Sequence, residues 1–231
     1  MKNDAVSEEF EKCNSKASLF STLSEEELKM IYQDCYSVHF HAGEIILKQG
    51  IKADYLISLM DGFARMYIEG HNERNLVIDF LIPWQLIGLP GAHSTGNHKY
   101  SVVAVRESQV CFLYVKNFRR VLAMNRSFAD DVMNYCSDNY VAALQRMVGL
   151  SQKQMHGRIS DALLYLTGKV YKSSTIGSEI SRQDIADYTS MTKDSAIRIL
   201  KELERDQIIN LAGRRIEVID TARLHDISIK G

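Results

Sequence analysis

The spacing of apolar residues changes three times along the chain, and each change marks a different kind of element. Near the start, Ser24 stands three residues before Glu27. In that pattern the serine oxygen and the glutamate carboxylate satisfy free backbone N–H groups at a helix start. Leu28, Ile31 and Tyr32 then share one helical face. Between residues 38 and 113 the period shortens. Residues 44–48 (Glu-Ile-Ile-Leu-Lys), 55–60, 65–68, 102–105 and 110–114 read as short strands, separated by turn residues at Ala42-Gly43, Gln49-Gly50, Asp61-Gly62 and residues 69–72. Short strands at such spacing predict a β-sandwich or barrel. Pro83, Gly88, Pro90, Gly91 and Gly96 crowd one stretch, which is expected to be an irregular loop.

After Val115 the pattern is helical. Residues 127–150 contain no proline, and no glycine before Gly149, while Met133, Tyr140 and Met147 recur at intervals of seven with Cys136, Ala143 and Leu144 between them. Such a stripe fits a seam between two copies of the helix and equally fits packing on the chain's own sandwich. A further helix is expected over residues 153–171, with Met155, Ile159, Leu163, Leu166 and Val170 on one face, and residues 172–178 are expected to form a loop.

Residues 181–218 carry the sharpest signal. Ser181, Arg182, Gln183 and Asp184 repeat the capping pattern and open a short helix that buries Ile185, Ala186 and Tyr188. Ala186 is small enough to let a second helix cross closely. After a turn at residues 189–191, Thr192 is the expected N-cap of a helix from Lys193 to about Asp206, with Ile197, Leu200 and Leu203 inward and Lys193, Asp194, Ser195 and Arg198 on the outer side near its start. Two helices joined so tightly match a helix-turn-helix, whose second helix enters the major groove by its N-terminal residues. Residues 208–219 then read as a hairpin with a basic tip at Arg214 and Arg215, which makes the unit a winged helix and supplies phosphate contacts. On one helix face Lys193 and Arg198 can donate to guanine, and Asp194 can accept from cytosine. The plainer reading of that face is a solvated surface with an Asp194–Arg198 ion pair.

Bulk composition is consistent with this. The chain has 231 residues, 45% hydrophobic, enough for a substantial core, and a formal net charge of -1. That balance hides an asymmetry: from Lys153 onward there are 13 Lys+Arg against 11 Asp+Glu, and before it 15 against 18. Where basic residues sit matters more than their total. The four cysteines, Cys13, Cys35, Cys111 and Cys136, include no C-x-x-C pair, and the sequence shows neither a signal-peptide pattern nor an apolar run long enough to cross a bilayer. A reducing cytoplasm with free thiols is expected. The sequence has no nucleophile elbow, P-loop or paired catalytic carboxylates. His39 and His41 share a strand face as cupin ligands do, but no further Glu and His follow at cupin spacing, so an enzyme is not expected.

Residues 180–209 resemble the DNA-binding motif of the Crp/Fnr regulators. Gly157-Arg158-Ile159 followed by Leu163, Leu164 and Leu166 resembles the helix that precedes that motif, and Gly43-Glu44, Gly50 and Gly62 match the glycine pattern of the family's cyclic-nucleotide-binding-type jelly roll. The resemblance implies an α+β chain: a jelly-roll sensor domain over residues 1–126, a dimerisation helix over 127–152 and a winged helix-turn-helix over 153–231. It implies a homodimer paired through Met133, Cys136, Tyr140, Leu144 and Met147, which reads a near-palindromic double-stranded DNA site and touches RNA polymerase. By position, Lys193, Asp194 and Arg198 match the family's base-contacting residues, and Ser181, Arg182, Gln183, Thr192, Ser195, Arg214 and Arg215 complete the expected interface. Lys193 stands where the cyclic-AMP receptor protein has arginine, and Asp194 where it has glutamate.

The resemblance also locates the effector pocket. Cyclic-AMP-binding members carry a Gly-Glu pair that holds the ribose hydroxyl and an Arg-Ser pair that neutralises the phosphate. Here the corresponding positions read Gly88-Leu89 and Tyr100-Ser101. Leucine cannot accept from a hydroxyl and tyrosine brings no cation, so tight binding of cyclic AMP or cyclic GMP is not expected. An iron–sulfur cluster is not expected either, because its four thiolates would have to come from Cys13, Cys111 and too few others. Cys111 reads as a small buried hydrophobe. A haem- or redox-responsive sensor stays open, with His39, His41, His71, His93, His98 and His156 as candidate ligands. The third alternative is a ligand-binding regulatory module without DNA activity, against which the winged helix argues.

Overall fold

The computed structural model describes residues 18–70 and 75–231, which fall into two compact units. The first comprises residues 18–66 with Leu81–Val141; the second comprises Tyr67–Phe80 with Ala142–Gly231.

The chain enters through a 3-10 turn at Ser18–Phe20 and helix α1 (Glu25–Ile31). Ser24 and Glu27 form the expected capping box. Eight strands follow: β1 (Tyr36–Phe40), β2 (Ile45–Leu47), β3 (Tyr55–Asp61), β4 (Ala64–Glu69), β5 (Asn75–Leu81), β6 (Leu86–Ile87), β7 (Ser101–Ala104) and β8 (Ser108–Tyr114). They form two sheets of order β1-β8-β3-β6 and β2-β7-β4-β5. Strand β3 shows why the fold is a sandwich. Leu56 and Met60 join a core with Phe20, Ile31, Phe118 and Phe128, while the alternate residues Ile57 and Leu59 join a core with Ile46, Leu47 and Val102. Because successive side chains point to opposite faces, a strand covered on both sides must be apolar throughout. That is why residues 55–60 are apolar apart from the buried Ser58.

Helices α2 (Val115–Met124) and α3 (Arg126–Gln152) complete this part of the chain. The buried residues of α3, Phe128 and Val132, lie near its start.

In the second unit, α4 (Met155–Tyr165) runs into a π-type turn at Leu166–Tyr171. Next come β9 (Thr175–Ile176), α5 (Arg182–Tyr188), α6 (Lys193–Arg205), β10 (Ile209–Ala212), β11 (Arg215–Val218) and α7 (Thr221–Lys230). Strands β10, β11 and β9 form a three-stranded antiparallel wing sheet. The segment Tyr67–Phe80 packs here through Phe80 and Asp79. The Phe80 ring lies 5.5 Å from that of Tyr188, Tyr165 stacks on Tyr188 at 5.4 Å, and the Tyr165 hydroxyl donates to the Asp79 carboxylate. The Arg146 guanidinium sits 3.9 Å above the Tyr188 ring and donates to the carbonyls of Val77, Ile78 and Tyr188.

Several sequence expectations need correction. Strand β5 was not anticipated. The stretch expected to be wholly irregular contains β6 and a π-type turn at Gly91–Thr95. The expected loop 172–178 contains β9, whose two residues are too few to show a period. The helix expected from residue 153 begins at Met155 and changes to π geometry after Tyr165. In α6, Ile199 rather than Ile197 is fully buried, together with Ala196, Leu200 and Leu203. The steps 196, 199, 200 and 203 follow the 3.6-residue period more closely than the expected set does.

Candidate nucleic-acid interface and sensor pocket

Helix α5 begins at a closed capping box. The Asp184 backbone N–H donates to Ser181 Oγ at 3.1 Å, and the Ser181 N–H and hydroxyl donate to Asp184 Oδ2 at 2.8 and 2.6 Å. The turn to α6 runs through Ser190 at φ 54°, the left-handed step that lets two helices join within four residues. Ala186 is fully buried, as its small side chain predicted. Thr192 caps α6: its Oγ1 accepts from the Ser195 N–H at 3.2 Å and its hydroxyl donates to Ser195 Oγ at 2.9 Å.

This cap presents the first turn of α6 to solvent. Lys193 and Asp194 are exposed, and neither carries an ion pair or hydrogen bond among the described residues. Arg198 lies one turn further, exposed, with its guanidinium donating to Glu202 Oε1 at 3.0 Å. The Asp194–Arg198 pair of the plainer reading is therefore replaced by Arg198–Glu202. Glu202 also meets His156 Nε2 at 2.7 Å. That hydrogen bond first, and the nearby Arg198 charge after it, hold the Glu202 carboxyl below its ordinary pKa. The histidine–glutamate–arginine chain was invisible in sequence because His156 is 46 residues away from Glu202.

The other predicted contacts divide into two groups. Arg214 and Arg215 stand exposed at the wing turn, where Gly213 adopts φ 63°, the positive value a two-residue hairpin turn requires. Arg182 instead reaches back to the wing, donating to the carbonyls of Gly213 and Arg214 at 3.1 and 3.2 Å. Gln183 is exposed and donates to Asp187 at 2.7 Å. The hydroxyls of Ser181, Thr192 and Ser195 are engaged in capping.

In the sandwich, the structure joins two of the four predicted effector residues. The Gly88 N–H donates to the Tyr100 hydroxyl at 2.9 Å. Burial pushes the Tyr100 phenol up to about 12, so it stays neutral at physiological pH. Leu89 is buried in the core that packs on the helices, and Ser101 is fully buried with its hydroxyl accepting from the Gln49 N–H at 2.9 Å. His98 is buried beside Gly88, its Nδ1 has no hydrogen-bond partner among the described residues, and burial lowers its pKa. Of the other candidate haem ligands, His93 is exposed, His71 lies outside the described residues, and His39 and His41 are exposed on and beside β1. Cys111 is fully buried in β8, where its sulfur is a hydrogen-bond partner of the half-buried Cys35 and lowers the Cys35 pKa. Cys13 lies outside the described residues.

On α3, Met133, Cys136, Tyr140, Leu144 and Met147 are all exposed. Val141 and Val148 extend the same apolar surface.

A β-sandwich of sensor type, a long helix and a winged helix-turn-helix define a DNA-binding regulator of transcription rather than an enzyme. The chain belongs to the Crp/Fnr family: the cyclic nucleotide-binding domain profile matches residues 37–125, and the Crp-like helix-turn-helix domain profile matches residues 157–227. It is 26% identical over 208 residues to the transcriptional activator protein FnrL of Cereibacter sphaeroides, covering 86% of this chain and 83% of that one. It is 21% identical over 198 residues to the cAMP-activated global transcriptional regulator CRP of Salmonella typhimurium, covering 84% and 94%. Its fold is similar to that of FixK2 from Bradyrhizobium japonicum, with a TM-score of 0.76 and 21% identity over 84% of this chain and 96% of that one. No described helix is long and apolar enough to cross a membrane.

Proposed function

We propose that the chain acts in the cytoplasm as a homodimer that reads a near-palindromic DNA site through Lys193, Asp194 and Arg198 and works with RNA polymerase to regulate transcription. The observation that carries the base-reading assignment is the first turn of α6: exposed, capped by Thr192, and bearing a cation and a carboxylate with no partner among the described residues. Such groups can meet base edges without first breaking an internal bond. Arg214 and Arg215 are the phosphate contacts, and Arg182 holds the wing tip in place for them. The functional division is a sensor domain over residues 1–126, a dimerisation helix over 127–152 and a DNA-binding domain over 153–231. Genome-wide mapping of bound DNA, followed by binding to the recovered site at several fixed salt concentrations, tests the proposal. Equal affinity for the recovered site and for shuffled sequence overturns it.

We infer that the effector is neither cyclic AMP nor cyclic GMP. The neutral Tyr100 hydroxyl occupies the Gly88 N–H, and Leu89 is committed to the core. None of the four pocket residues carries the positive charge that would offset burial of a phosphate. Titration calorimetry with cyclic AMP and cyclic GMP should give no saturable heat, and micromolar binding of either sinks this reading.

A further inference from the structure

On the sandwich, outside the pocket and the DNA interface, two imidazoles and a carboxylate converge on one spot. Strand β1 pairs antiparallel with β8 so that His39 faces Gln109 and Phe40 faces Ser108. Continuing that register by one residue sets His41 opposite Glu107. His39 and His41 are two apart and so share a face, and Glu107 reaches both. His41 Nδ1 lies 3.0 and 3.1 Å from the two carboxylate oxygens, and His39 Nε2 lies 3.4 Å from the nearer one. One ligand atom from each residue lies within 4.8 Å of the other two.

We propose that His39, His41 and Glu107 form a binding site for a divalent transition-metal ion of the zinc(II) or cobalt(II) class. Two histidines and a carboxylate are a donor set these ions favour. Bonds of about 2.0–2.2 Å in a tetrahedral arrangement place ligand atoms roughly 3.3–3.6 Å apart. The His39–Glu107 separation is already in that range, and the His41–Glu107 separation is a few tenths of an ångström short of it. Three protein donors leave at least one coordination position for water or an exogenous ligand. The side chains are 59–72% exposed, so an ion can enter without any opening of the fold.

The supports of the site are firm. Glu44 Oε2 accepts from the His41 backbone N–H at 2.7 Å and pins the end of β1. Behind Glu107, Ser108 is buried, with its hydroxyl accepting from the Phe63 N–H at 3.2 Å and donating to the Arg106 carbonyl at 2.8 Å. Gly62, at φ 107°, packs against this turn so closely that a Cβ there would lie 2.6 Å from the Glu107 carbonyl oxygen. The turn that carries Glu107 is therefore fixed on both sides. This site is independent of the DNA-binding proposal and stands or falls without it.

The test is titration of the metal-stripped, tag-free full chain with Co2+, read by its visible d–d absorption, and displacement of that signal by Zn2+. One Co2+ per chain is expected, displaced stoichiometrically by Zn2+. His39→Ala, His41→Ala and Glu107→Gln should each weaken Co2+ binding by about tenfold or more, whereas His225→Ala, on α7, should not change it. All three positions are on the surface, and circular dichroism of each variant checks that it folds. No saturable Co2+ binding overturns the proposal, as does binding that the three substitutions leave unchanged, which would mark the cluster as a surface ion pair only.

Discussion

Arg198 is the residue whose role depends most on magnitudes. Its bond to Glu202 is an exposed pair spaced i,i+4, worth about 0.3–0.5 kcal/mol. A bidentate contact from arginine to guanine discriminates by about 1–3 kcal/mol. The proposed base contact would outweigh the ion pair, so Glu202 can orient Arg198 in free protein without withholding it from DNA. Arg198→Ala should cost about 1–3 kcal/mol on the preferred site and relax preference at one base pair. Uniform weakening across sequences, read by fluorescence anisotropy on a panel of single-base variants, would reduce Arg198 to a phosphate contact. Asp79 poses a second question at this scale. Burial raises its carboxyl above the ordinary value of about 3.9, against the opposing pull of the Tyr165 hydrogen bond and of Lys169 and Arg146. A raised folded-state pKa means that the stability contribution is complete below the unfolded value and is lost as pH rises through the folded one. Asp79→Asn keeps an acceptor for Tyr165 and removes the buried charge. Thermal melts should therefore show the variant at least as stable as the parent at pH 7, with the difference shrinking towards pH 4. A variant clearly less stable at pH 7 would show that Arg146 and Lys169 outweigh burial.

At the scale of elements, the wing offers a clean separation of roles. Arg214 and Arg215 project from the tip, whereas Arg182 holds the tip by two carbonyls. Arg214→Ala and Arg215→Ala should each weaken all DNA sequences alike and reduce the slope of log K against log salt by about 1. An unchanged slope would remove that arginine from the phosphate contacts. The elements also show what was legible beforehand. Thr192, Ser181 and Ser24 announced helix starts because a cap and its partner lie within three residues, and Ala186 announced a close crossing by its size. Strand β5 was not legible: its apolar alternation is interrupted by Asp79, whose partner Tyr165 lies 86 residues away. The bonds between Gly88 and Tyr100 and between His156 and Glu202, 12 and 46 residues apart, were hidden for the same reason. Local spacing encodes caps and periods, while the choice among several nearby partners is made by packing. In α6 the spacing places Leu200 and Leu203 in the core, and packing buries Ala196 and Ile199 in preference to Ile197.

At the scale of the whole molecule, the unsettled surface is the outer face of α3. Met133, Tyr140 and Met147 are 66%, 65% and 61% exposed and recur every seven residues, with Leu144 and Val148 beside them. A row of large apolar side chains on a helix is costly to leave in water, at roughly 25 cal/mol per Å² of apolar surface. In the proposed homodimer a second copy of the same helix would cover it by knobs-into-holes packing, the two-fold pairing that a near-palindromic site requires. Leu144→Glu together with Met147→Glu places like charges on both sides of that seam without touching the buried residues of either unit. Sedimentation velocity should show a parental dimer and a variant monomer, with circular dichroism and thermal unfolding of the monomer still cooperative. On DNA, the variant should lose the advantage of a full site over a half-site, because the second recognition helix is no longer tethered at high effective concentration. A variant that stays dimeric would move the interface elsewhere, and a parent that is monomeric at micromolar concentration would leave two separately binding chains in place of a dimer.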